Sequence, residues 1–304
     1  MPASKTQIKL DFQTAPAATV FDYIQLMRLD TPIGFLLLLW PTLWSLWLAA
    51  GGLPSLKNFV IFTLGCLFMR SAGCVINDYA DRHFDGHVAR TRNRPLATGR
   101  IKPVQALLLF GALCGLSALL LLFCNRLTAQ LALVALVLAV LYPFCKRHSA
   151  LPQVVLGAAF AWAIPMAWAA QTGTLKPVTW LLFCAALLWT LVYDTFYAMV
   201  DRDDDAKLGL RSTAILFGEA DRVITAFLQA FFLVTLLLLG KQCALGYLYY
   251  IALCLVVGLF GWQQWLIRLR QPAACFRAFL NNQWVGLVIF AGIAADYALR
   301  AAHG

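Results

Sequence analysis

The chain has 304 residues, of which 62% are hydrophobic and only 12% charged, and its formal net charge is +10. Soluble domains carry roughly 25% charged residues, so the polar coat of one or two water-soluble globules is missing and a polytopic membrane protein is expected. The same shortage excludes a nucleic-acid-binding protein, because no hydrophilic domain exists to present a basic face.

The N-terminal stretch is polar and contains Pro2 and Pro16, and the first apolar run begins near Ile33 with no cleavage pattern behind it. No signal peptide is expected there. Crossing ~30 Å of hydrocarbon takes about 20 mainly apolar residues, and the chain offers nine such runs, near 32–50, 58–77, 104–124, 128–145, 151–170, 178–200, 213–239, 244–267 and 278–299. Backbone groups in lipid must be satisfied within the segment or in a closed barrel, and these runs are too long and continuous for barrel strands. An all-α fold of nine transmembrane helices follows, as one domain over residues 1–304. The nine cysteines are scattered through the apolar runs without a CxxC pair and read as small buried hydrophobes.

Of 24 Lys and Arg, 19 belong to the side of the N-terminus and of the segments after even-numbered runs, Arg70 and Arg222 being counted there from inside the adjoining runs. That bias places the N-terminus in the cytoplasm and, with nine spans, the C-terminus outside.

The chain has only 14 acids, and seven of them form two clusters: Asp78, Asp81 and Asp85 after the second run, and Asp201, Asp203, Asp204 and Asp205 after the sixth. Carboxylates gathered at a membrane edge repel one another unless a cation joins them. Asn77, Asp81 and Asp85 stand at i, i+4 and i+8, which is one face as long as the second span stays helical. Asp201 and Asp205 repeat the i, i+4 pair, and both clusters contain Asp-Arg-x-x-Asp, a weak internal duplication of two helical halves. Hard oxygen donors favour Mg²⁺, which retains waters and joins a few carboxylates to substrate phosphates. His83 and His87 are also i, i+4 and raise a transition metal as a second reading, without a third ligand or a metalloprotease motif. Two solvated helix ends with incidental acids are the plainer alternative.

A basic collar accompanies the acids: Arg90, Arg92, Arg94, Arg100 and Lys102 after the first cluster, Lys207 and Arg211 after the second, Lys146 and Arg147 ending the fourth run. Guanidinium groups grip phosphate oxygens in pairs, and phenols such as Tyr142 and Tyr197 can donate beside them; for any one loop arginine, setting topology is the competing role. Arg70 interrupts an apolar run seven residues before Asn77. A charge at that depth needs a partner or a wet cavity, so it either pairs with an Asp or meets the anionic group of a second substrate.

These residues resemble the UbiA superfamily of intramembrane prenyltransferases, whose Asn-x-x-x-Asp-x-x-x-Asp pattern matches Asn77, Asp81 and Asp85 and whose second Asp-x-x-x-Asp matches Asp201 and Asp205. The likeness extends over nearly the whole chain. The segments "RLDTPIGFLLLLWPTLW", "NRPLATG", "YPFCKR" and "LPQVVLGAAF" point to the hydroxybenzoate branch.

The resemblance implies helices around a central cavity capped by cytoplasmic loops, open sideways to membrane lipid for a prenyl tail, in a bacterial inner membrane. It implies Mg²⁺ held by Asn77, Asp81, Asp85, Asp201 and Asp205, the four aspartates being catalytic. Diphosphate contacts fall on Arg28, Arg90, Arg94, Tyr142, Lys146 and Tyr197, and acceptor contacts on Arg70, Asn77 and Arg147. The implied reaction transfers a polyprenyl group from polyprenyl diphosphate to 4-hydroxybenzoate in ubiquinone synthesis, with no obligatory protein partner. The rivals are a sibling enzyme with another acceptor and a cation-coupled transporter, although transporters place their acids near the midplane and these lie at one face.

Overall fold

The protein is seen in a computed structural model that describes residues 18–82, 85–87, 91–148, 151–207, 209 and 211–303. The described residues are helical with no strand: α1 (Val20–Leu26), α2 (Ile33–Ala50), α3 (Leu56–Asp81), α4 (Pro103–Leu121), α5 (Arg126–His148), α6 (Pro152–Ala161), α7 (Ala163–Thr172), α8 (Pro177–Val200), α9 (Arg202–Lys207), α10 (Thr213–Phe217), α11 (Asp221–Gln242), α12 (Tyr247–Leu266) and α13 (Pro272–His303). Proline opens α4, α6, α8 and α13, where its missing N–H is no loss and its fixed φ suits the first turn. Gly173 closes α7 with a left-handed φ of 71°, a conformation glycine adopts without steric cost.

Among the described residues, eight helical segments are long and apolar enough to cross a membrane, one fewer than the nine expected. The fourth expected span, 128–145, falls in α5, which runs from Arg126 to His148; the side chains from residue 140 on lie outside the described residues, and the apolar stretch before them is Arg126–Ala139. The fifth is not one helix but α6 and α7, broken at Trp162. Pro165 is the cause: its ring cannot donate to the carbonyl of Ala161 and crowds it.

Contacts divide the chain into two compact units. The larger comprises Ile33–Leu67 and Ser117–Gly304. Its centre is α8, which packs against α6, α7, α10, α11 and α13. Trp189 of α8 lies 5.3 Å from Trp44 of α2, and their indole N–H groups donate to Asn282 Oδ1 at 2.9 Å and to the Gly286 carbonyl at 3.1 Å. Gly286 lets α13 come this close, since a Cβ there would sit 2.3 Å from Trp40. Polar contacts in an apolar bundle are satisfied between side chains: Gln229, Gln263, Gln264 and Asn281 form a chain of 2.9 Å amide bonds linking α11, α12 and α13.

The smaller unit holds the chain up to Pro32 together with Phe68–Leu116. Leu26 of α1, Ala72 and Val75 of α3, Leu96 and Ile101 of the following loop, and Ala106 and Leu113 of α4 form its core. Leu96 and Ile101 pin the loop, so the polar residues between and before them take fixed directions.

Candidate active site

The first acid cluster lies in the smaller unit. Asn77 and Asp81 occupy the last turns of α3, one turn apart and half-buried, as the i, i+4 spacing requires. Asp85 does not continue their face. The helix stops at Asp81, and Asp85 opens a separate 3₁₀ turn, Asp85–His87. Its contacts explain the departure: Thr91 Oγ1 donates to the Asp85 carbonyl at 2.9 Å, and Arg94 Nη1 donates to the Asp85 carboxylate at 2.9 and 3.2 Å. Gly86 follows, a weak helix former. Asp85 is therefore tied to the loop rather than to the helix. Burial pushes its carboxyl above the ordinary carboxylate range, with Arg94 pulling the other way.

The residue that gathers this cluster is Asp78, 1% exposed. Arg28 Nη2 donates to its two oxygens at 3.0 and 3.2 Å, and Arg94 Nη1 lies 2.9 Å from Oδ1. Arg94 thus bridges Asp78 and Asp85. Arg28 sits just beyond α1 with a left-handed φ of 57°, a backbone state that costs a non-glycine residue roughly 1 kcal/mol or more, and its Nη1 donates to the Gln25 carbonyl at 2.8 Å. Sequence reasoning gave Asp78 no role, because it lies about 100° around the helix from Asn77, off the i, i+4 stripe. The available signal was an acid at the end of an apolar run with arginines on both sides.

Arg100, counted in the collar, is engaged elsewhere. Its Nη1 donates to Asp22 Oδ1 at 2.6 Å and its Nη2 to the Asn93 carbonyl at 2.7 Å, which fastens the loop to α1. Thr19 caps α1 and donates both its N–H (2.9 Å) and its hydroxyl (2.8 Å) to Asp22 Oδ2. These bonds first, and Arg100 after them, hold the Asp22 carboxyl below its ordinary range against the opposing effect of burial. Arg70 lies half-buried on α3, two turns before Asn77.

The second cluster lies in the larger unit. Asp201 ends α8 and leads into α9, and the Asp205 N–H donates to the Asp201 carbonyl at 2.8 Å. Both residues are half-buried, and the i, i+4 spacing survives as one helical turn. Tyr197, one turn earlier, packs its ring 4.9 Å from Phe279. Arg202, between the acids, turns away and donates to Asp221, which is fully buried and also receives Arg270 at 3.1 Å. Asp204 pairs with Lys207 at 3.5 Å on the surface.

Arg90 and His83 lie outside the described residues, as do the side chains of His87, Tyr142, Lys146 and Arg147. Among the described residues no three His, Cys, Asp or Glu side chains form a metal-ligating group. Each cluster instead offers two carboxylates, the first with Asn77 one helical turn before Asp81. That is an all-oxygen, incomplete donor set, the kind that suits Mg²⁺ completed by water and phosphate oxygens.

The UbiA prenyltransferase family matches residues 38–288. A 4-hydroxybenzoate octaprenyltransferase from Saccharophagus degradans is 59% identical over 279 residues, covering 92% of this chain and 93% of its own. One from Pseudomonas aeruginosa is 56% identical over 280 residues, 92% of this chain and 95% of its own. Among solved structures, the apo form of a UbiA homologue from Aeropyrum pernix matches with a TM-score of 0.77 at 23% identity, over 86% of this chain and 97% of its own. A UbiA homologue from Archaeoglobus fulgidus bound to GPP and Mg²⁺ matches with a TM-score of 0.69 at 21% identity, over 90% and 99%. The two structures establish the fold, and the family match favours an enzyme over the transporter reading. Matched along most of its length and by relatives well above half identical, this chain belongs to the UbiA prenyltransferase family.

Proposed function

We propose that this membrane enzyme transfers a polyprenyl group from a polyprenyl diphosphate to the ring carbon ortho to the hydroxyl of 4-hydroxybenzoate, a step of ubiquinone synthesis, in a bacterial inner membrane. The observation that carries the reading is the convergence of Arg28 and Arg94 on Asp78 and Asp85 beside Asn77 and Asp81. Anion-gripping cations and cation-gripping acids stand together at the end of an apolar helix. Relatives 59% and 56% identical to this chain bear the name 4-hydroxybenzoate octaprenyltransferase, which supports this reaction.

Asn77, Asp81 and Asp85 would hold one Mg²⁺, and Asp201 and Asp205 a second. Divalent cations held there would neutralise phosphate oxygens and make pyrophosphate a better leaving group. Arg28, Arg90, Arg94 and Lys146, with Tyr142 and Tyr197 donating beside them, bind the diphosphate. Arg70, with Arg147 and Asn77, orients the acceptor by its carboxylate. The allylic C–O bond breaks and pyrophosphate departs with the bonding pair. The ortho ring carbon bonds to the allylic carbon, and loss of its proton restores aromaticity. Aromatic faces and preorganised dipoles stabilise the allylic cation while the apolar surroundings exclude water. The excess of Lys and Arg at the N-terminus and after even-numbered spans supports a cytoplasmic N-terminus and a periplasmic C-terminus.

The test incubates the purified protein with 4-hydroxybenzoate and octaprenyl diphosphate, with Mg²⁺ or with EDTA, and follows products by mass spectrometry. Prenylated hydroxybenzoate that vanishes in EDTA is the expected result. Product from homogentisate or a naphthoate acceptor, with none from 4-hydroxybenzoate, would overturn the acceptor assignment.

A further inference from the structure

Asp78 is a carboxylate in an unfavourable place. It is buried in the last turns of α3, where the helix dipole disfavours an anion, and Asp81 and Asp85 add like charge nearby. Such a group is retained only if cations answer it. Two do, and they come from separate segments of the chain: Arg28 from the end of α1 and Arg94 from the loop after the acid cluster. Each bond to Asp78 engages one terminal nitrogen of its guanidinium, Nη2 of Arg28 and Nη1 of Arg94. Arg28 accepts a left-handed backbone in this position.

We propose that Asp78 is a positioning residue for diphosphate recognition: it fixes Arg28 and Arg94 relative to each other and to Asp85, so that both guanidiniums meet pyrophosphate oxygens without first being ordered. The inference rests on the diphosphate reading of those arginines given above. A guanidinium on a flexible stem loses rotamer entropy when it binds. One already held by a buried carboxylate has lost that freedom in the folded protein, so less is lost when the ligand arrives. Asp78 touches neither substrate; it acts through the two arginines.

The experiment measures binding of inorganic pyrophosphate to the purified full-length protein in Mg²⁺, by calorimetry, alongside KM for each substrate and the unfolding temperature. Asp78→Asn is expected to weaken pyrophosphate binding about tenfold and to raise KM for the polyprenyl diphosphate similarly, with KM for 4-hydroxybenzoate changed less than about twofold. Asp78→Glu restores the charge and is expected to recover part of the affinity. Because Asp78 acts through the arginines, adding Asp78→Asn to an Arg28→Gln/Arg94→Gln protein should weaken binding no further. A purely structural Asp78 gives another pattern: a lower unfolding temperature in Asp78→Asn or Asp78→Glu with wild-type pyrophosphate affinity. That pattern, or full additivity with the arginine variants, overturns the proposal. If the wild-type protein itself binds no pyrophosphate, the diphosphate reading fails and this inference falls with it; if the wild type binds and both Asp78 variants bind equally well, the positioning role alone is lost.

Discussion

The two acid clusters share Asp-Arg-x-x-Asp, at Asp81–Asp85 and at Asp201–Asp205, yet the same five-residue string folds in two ways. In the first, α3 ends at the leading Asp and Asp85 departs on a 3₁₀ turn, drawn to Thr91 and Arg94. In the second, a helix begins just after the leading Asp, and Asp205 bonds back to it along the backbone. The arginines between the acids diverge as well. Arg82 folds back over Tyr79, its guanidinium 4.3 Å from the ring centre and 2.6 Å from the Tyr79 carbonyl. Arg202 reaches the buried Asp221, 19 residues on. Spacing thus fixes which residue types are offered, while distant partners fix where their side chains go. Each cluster also stands beside a buried carboxylate held by two arginines, Asp78 with Arg28 and Arg94, and Asp221 with Arg202 and Arg270.

The hardest test of their equivalence is to remove one carboxylate from each. Asp81→Ala and Asp201→Ala are each expected to lower Mg²⁺-dependent prenylation by about 100-fold or more, since even the outer partners of metal ligands are worth ~10–100-fold. Both proteins should still insert and fold. Near-normal turnover in either variant would mean that only the other cluster holds a catalytic cation, and the duplication would be a resemblance of sequence alone.

The divergence of Arg82 and Arg202 predicts a smaller, unequal effect on stability. Arg202→Ala leaves Asp221 wholly buried with Arg270 as its remaining cation, a loss of about 2–3 kcal/mol after allowing for the partial exposure of the arginines. Arg82→Ala gives up a cation–π contact and one carbonyl bond near the helix end, about 1 kcal/mol. Thermal unfolding in detergent reads both. Equal shifts would show that the two arginines do the same work and that their different partners are incidental.

What could be read from the sequence was whatever repeats locally. Apolar runs located the spans, and four-residue spacing found both acid pairs. The break at Trp162 was also written there, as Pro165, but an apolar run that long reads as one helix until the crowded Ala161 carbonyl is considered. The salt bridges had no local signature. Arg28 and Asp78 are 50 residues apart, Asp221 and Arg270 are 49, and no periodicity links such positions. For the same reason Arg100 read as part of an anion-binding collar although its guanidinium is committed to Asp22. A loop arginine's role depends on which carboxylate the fold brings within reach, and Leu96 and Ile101 settle that by anchoring the loop.

The smallest effect belongs to that last pair and has a definite sign in pH. Asp22 is held below its ordinary value of 3.8 by Thr19 and by Arg100, so in the folded protein it stays ionised to lower pH than in the unfolded chain. A carboxylate of this kind contributes stability that is present above pH 3.8 and fades as pH falls through the depressed folded value. Asp22→Asn keeps a group able to accept from Thr19 but removes the charge that Arg100 meets. The wild type should therefore unfold at a higher temperature than Asp22→Asn at pH 7 and at pH 5, by less than the loss in Arg202→Ala, and the gap should narrow below pH 3.8. The KM for polyprenyl diphosphate should not move, which separates this fastening of the loop from the anchoring of Arg94 six residues earlier. A gap that persists at low pH would show that Arg100 is held by the Asn93 carbonyl and Thr98, and that the charge on Asp22 adds nothing to the loop.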